Sequence, residues 1–241
     1  MKKLYEKNEV LFAVLWIVVY CLLTIPIRGK LGDDSPWMLA ALAAIAAGTT
    51  VLIRRWRLTF FYGLEGWPKN ARRFLYFAPM FVLATGNLWG GVRSGGFDLR
   101  QLCAVASMAL VGYVEEVIFR GFLFKALLRK NGPKPAIVIS AVSFGIGHIV
   151  NMLAGQASLE TVMQVVFAVA WGFLFTFAFY KSGSLWPCIA VHALVDVLSR
   201  FSTDSVTAGW VYIGAVIVTA LVYCPWLNRL ETPEKNSLRA A

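Results

Sequence analysis

Charge is sparse in this chain. Only 15% of its 241 residues are charged, 59% are hydrophobic, and there are just two histidines. The polar, heavily charged surface of an ordinary soluble domain is therefore excluded, and a mean hydropathy of +0.66 points the same way. Cysteine is scarcer still. Cys21, Cys103, Cys188 and Cys224 stand alone in apolar surroundings, with no paired spacing suited to zinc or to a redox disulfide, and they read as small buried hydrophobes. No HExxH segment occurs, so that helical zinc signature is missing. There is no internal repeat, low-complexity tract or long linker, and the first apolar run ends in TIPIRGKL without a small-residue cleavage site, so it is expected to stay attached.

Long apolar runs are what the chain has in abundance. About 20 apolar residues suffice for a helix to cross the hydrocarbon core. Eight stretches approach or reach that length, at 10–27, 35–53, 74–92, 101–124, 135–154, 161–180, 183–199 and 208–227. The expectation is an all-α polytopic membrane bundle of about eight transmembrane helices. It would form one domain over 10–227, with short tails at 1–9 and 228–241. The net charge of +10 comes mainly from basic residues in the N-terminal tail, between Arg54 and Arg73, between Lys125 and Lys134, at Lys181 and after the last run. With those segments on one side, the positive-inside rule predicts both termini in the cytoplasm, as for a bacterial plasma-membrane protein. Membrane lipids with anionic headgroups account for the balance, and no nucleic-acid partner is expected. The loop RRWRLTFFYGLEGWPKNARR mixes basic and aromatic side chains and is expected to lie along the cytoplasmic interface.

Within the eight runs the acidic and basic side chains are Glu115, Glu116, Arg120 and Asp196, joined by His148 and His192. An ionisable group near mid-bilayer costs roughly 3 kcal/mol or more, so such groups face a bundle interior and mark a polar pathway or chemistry. Glu116 and Arg120 are four apart and share a helix face, so they can pair. Glu115 points about 100° away and is left free to move protons. Phe144 and His148 share a face in the next run, thinned by Gly145 and Gly147, and His192 and Asp196 do so two runs later. A rise of about 1.5 Å per residue puts Glu115, His148 and His192 at similar depth, a constellation suited to activating water.

These residues also carry a resemblance. EEVIFR from Glu115 to Arg120, continuing into GFLF, FGIGH from Phe144 to His148, and HALVD from His192 to Asp196 resemble, in order and spacing, the three motifs of the CPBP intramembrane proteases, the CAAX-protease and bacteriocin-processing (Abi) family. The resemblance covers about 100–200. It implies a glutamate-dependent intramembrane endopeptidase acting on a membrane-associated peptide or protein. In that reading Glu115 and His148 activate water, His192 and residue 196 serve the oxyanion, and Glu116, Arg120 and Phe144 support the site, with no cofactor. Family members often carry Asn where this chain has Asp196. An ionised carboxylate donates no hydrogen bond, so Asp196 is expected to orient His192, which becomes the main donor. Two other readings stay open. Glu115, His148 and His192 suit a His₂Glu zinc site, and acidic and imidazole groups inside a bundle also occur in proton-coupled transporters, while some relatives act as immunity proteins.

Overall fold

The computed structural model describes residues 1–68, 70–93, 98–155 and 157–232. Its helices are α1 (Lys2–Lys7), α2 (Glu9–Leu31), α3 (Pro36–Arg55), α4 (Ala71–Phe74), α5 (Ala78–Ala84), α6 (Leu99–Glu116), α7 (Lys125–Asn131), α8 (Pro133–Gly147), α9 (Ser158–Ser182), α10 (Trp186–Ser199) and α11 (Val206–Asn228). No strand is assigned among the described residues, only one isolated bridge between Val92 and Ser202. The all-α expectation holds.

The starts of the long helices are written into the sequence. Asn8, Ser35, Asp98 and Ser205 each use a side-chain oxygen to accept a backbone N–H three residues on, capping α2, α3, α6 and α11.

Among the described residues six helical spans are long and apolar enough to cross a membrane, with the shorter apolar α10 beside them, so the count of eight unbroken spans is not confirmed. The stretch expected at 74–92 is divided into α4, a 3-10 turn at Leu75–Phe77, α5 and a second 3-10 turn at Thr85–Leu88. Pro79 has no N–H to give to a continuing helix, which accounts for the break at α5. α10 begins late because the chain turns at Gly183 and Pro187 opens the helix.

α6 does not end at Glu116. Its backbone passes into a π-helical segment, Val117–Phe124, and then into α7, making one span of 33 residues. All eight residues of the π segment are buried. Around it pack α2, α8 and α9. Close approach of helices depends on missing side chains: a Cβ on Gly112 would lie 2.5 Å from the backbone N of Ala193, pinning α6 to α10, and one on Gly172 would lie 2.8 Å from the Ala141 carbonyl, where α8 meets α9.

The basic loop after α3 is less superficial than expected. Tyr62 is buried against Phe122, Leu185 N–H donates to the Gly63 carbonyl at 2.9 Å, and Trp186 Nε1 donates to Leu64 O at 3.1 Å. The loop therefore closes one end of the bundle, while Phe60 and Trp67 remain exposed at its edge.

Candidate active site

Glu115 and Glu116 sit on the last turn of α6, one residue before the π segment. Glu116 faces inward completely. Its Oε1 accepts Arg120 Nη1 at 2.8 Å and His192 Nδ1 at 2.9 Å, and both Glu116 and Arg120 are 0% exposed. The Arg120 guanidinium lies over the Phe144 ring, 4.1 Å from its centroid, and 5.2 Å from that of Phe175. Those π faces stabilise a cation whose Nε and Nη2 have no hydrogen-bond partner among the described residues. Phe175 also stacks on His192 at 5.5 Å, and Phe144 meets both imidazoles edge-on, at 5.2 Å for His148 and 5.6 Å for His192. Phe144 is thus the aromatic wall between the buried cation and the two histidines.

Glu115 points elsewhere, as its place on the helix requires. Its Oε1 accepts the Tyr20 hydroxyl at 2.6 Å, and its Oε2 stands 3.7 Å from His192 Nε2. The same Nε2 lies 3.5 Å from Asp196 Oδ2. Three carboxylates therefore surround His192, and the one in hydrogen-bond contact is Glu116. The orienting contact expected from Asp196 falls to Glu116, across 76 residues of chain, and Asp196 faces the second nitrogen instead. His148 is at the end of α8, where the helix tightens into a 3-10 turn, His148–Ala154. Its Nδ1 lies 3.0 Å from the Phe144 carbonyl. A carbonyl only accepts, so Nδ1 carries the proton and Nε2 of the neutral ring keeps its lone pair.

Glu115, His148, His192 and Asp196 line one cavity of about 290 Å³. Met108, Val111 and Phe119 supply apolar wall, and Arg28, Asn151, Gln164 and Arg200 supply polar groups. A second cavity of about 80 Å³ shares Phe144, His148, Gln164, His192 and Asp196 and is otherwise walled by Phe167, Ala168, Trp171, Phe175 and Val195. All seven residues singled out in the sequence thus fall in one contiguous neighbourhood: four on the larger cavity, Phe144 on both, Glu116 and Arg120 behind them. Among the described residues no group of three or more His, Cys, Asp or Glu side chains is disposed to hold a metal ion.

The sequence family described as Type II CAAX prenyl endopeptidase Rce1-like matches residues 99–198. Over that segment the chain is similar to this family. The matched region runs from the start of α6 to the end of α10 and carries every motif residue on the cavity wall. Comparison with curated proteins and with solved structures returned no match. The Rce1-like match supports a protease, hence a hydrolase, and the apolar helices support an integral membrane protein.

Sequence reasoning missed Tyr20, Arg28, Asn151 and Gln164, all polar on the cavity. A signal existed in α2: Phe12, Trp16, Tyr20, Thr24 and Arg28 recur every four residues, grading from aromatic to hydroxyl to cation along one stripe.

Proposed function

We propose that the chain is an intramembrane endopeptidase of the glutamic type, hydrolysing a peptide bond of a membrane-associated peptide or protein in the cavity shared by Glu115, His148 and His192. The observation that carries this reading is the division of labour between adjacent glutamates. Glu116 binds both Arg120 and His192 through Oε1 and is sealed from the cavity, whereas Glu115, whose Oε2 has no hydrogen-bond donor among the described residues, borders open volume. In the reaction, Glu115 Oε2 takes a proton from a water that His148 Nε2 orients by accepting its other O–H. The resulting hydroxide attacks the carbonyl carbon, and His192, as an imidazolium whose Nδ1–H is held by Glu116, donates Nε2–H to the tetrahedral oxyanion. Collapse breaks the C–N bond as Glu115 returns the proton to the leaving nitrogen, giving a carboxylic acid and an amine, and the acid then passes its proton to the amine or to water to become the carboxylate. Positioned acid-base groups contribute about 10² to 10⁴ each, and an oxyanion donor about as much.

No metal enters this scheme, and both imidazoles keep their Nδ1 atoms engaged by protein acceptors. The test is a comparison of membrane peptides from cells producing the wild type and Glu115→Gln. Peptides that accumulate only with the variant are the expected substrates. Identical peptide profiles would contradict the proposal, and loss of wild-type cleavage in a strong chelator would replace it with the zinc reading.

A further inference from the structure

We infer that Tyr20, on a helix outside the family-matched segment, is a positioning residue of the active site, holding one oxygen of Glu115 so that the other faces the cavity. The inference rests on the hydrolase reading above and extends it to α2. Tyr20 is buried, lines the 290 Å³ cavity and places its hydroxyl 2.6 Å from Glu115 Oε1, the shortest side-chain contact that Glu115 makes among the described residues. A phenol donating to a carboxylate is a charge-assisted bond, strong and directional in a low-dielectric interior. With Oε1 occupied, proton abstraction is confined to Oε2, the oxygen that looks toward His192.

The placement of that hydroxyl is over-determined by the rest of α2. At its inner end Phe12 and Trp16 pack on Phe122 of the π segment, with ring centroids at 5.1 and 6.2 Å. At its outer end Arg28 Nε donates to Asp33 and Nη1 donates to Asn151 Oδ1, both at 2.7 Å. Asn151 is buried in the 3-10 turn that His148 begins, and its amide donates to Gln164 of α9 at 2.8 Å. One helix therefore grips the acid through Tyr20 and the turn after the imidazole through Arg28. Two halves of the water-activating pair are set against a common brace.

A Phe at position 20 keeps the ring and deletes only the hydroxyl. In purified, reconstituted protein, Tyr20→Phe is expected to lower kcat roughly 10- to 100-fold with KM unchanged, because a reacting group freed to wander loses near-attack geometry while the cavity wall stays intact. The melting temperature is expected to stay within a few degrees of wild type, which separates positioning from a folding defect. Infrared spectroscopy supplies a readout independent of turnover: the carboxyl band lost in Glu115→Gln is expected to shift in Tyr20→Phe. An unshifted band, or kcat within twofold of wild type, would overturn the inference while leaving the hydrolase reading intact. A shifted band with a wild type that cleaves no membrane peptide would support the contact and sink the hydrolase reading.

Discussion

Removing the charge of Glu116 strands a fully buried guanidinium, because among the described residues Arg120 has no other carboxylate in contact. Breaking one partner of a buried ion pair costs about 3–5 kcal/mol, so Glu116→Gln is expected to lose much of its thermal stability in detergent. Glu115→Gln, whose amide oxygen still accepts from Tyr20, is expected to melt close to wild type. Comparable melting of the two variants would contradict the division between structural and chemical glutamate. Asp196 offers a second contrast: at 3.5 Å from His192 Nε2 it is not the residue that orients the ring, so Asp196→Asn is expected to retain turnover in a peptide-cleavage assay, whereas His192→Ala abolishes it. The Glu116–Arg120 pair was legible in the sequence because a four-residue helical offset is a local rule. The Glu116–His192 and Tyr20–Glu115 bonds join residues 76 and 95 apart, and no local periodicity specifies which distant face meets which.

Among the elements, α6 and α10 matter most, since they carry Glu116 and His192 and touch backbone to backbone at Gly112 and Ala193. Gly112→Val would drive branched carbons into that contact. Overpacking of this kind costs about 1–3 kcal/mol or more, and it also pries His192 from Glu116, so the variant is expected to lose both stability and turnover, as read by thermal melting and peptide cleavage. A melting curve and rate like the wild type's would show that the helices do not meet there. Hydropathy located most spans but was blind to what interrupts them. The run at 74–92 is apolar throughout its first half yet divided at Pro79, and the helix after Glu116 winds as a π segment although VIFRGFLF contains no residue that forbids an α-helix. Such segments recur beside functional sites, and here the segment begins directly after the two glutamates.

At the scale of the whole molecule, long-range contacts sort the loops into two groups. Arg28 with Asn151, Arg100 with Asp34, and Arg93 with Asp204 join one end of the bundle, and Glu9 with Arg129, Trp186 with Leu64, and Lys181 with Asn228 and Leu230 join the other. The second end gathers most of the basic residues, and the positive-inside rule expects that side to be cytoplasmic. A cysteine placed at Arg57, in a background lacking the native cysteines, is expected to react with an impermeant thiol reagent only after cells are opened, and one at Asp204 in intact cells; the reverse pattern would invert the topology. In the proposed reaction Glu115 drives peptide-bond hydrolysis inside this bundle. Its most direct test is cleavage of a membrane peptide by purified protein in liposomes. The wild type is expected to release two fragments carrying a new carboxylate and a new amine, and Glu115→Gln, folded and melting normally, to release none; equal cleavage by both proteins would contradict the account.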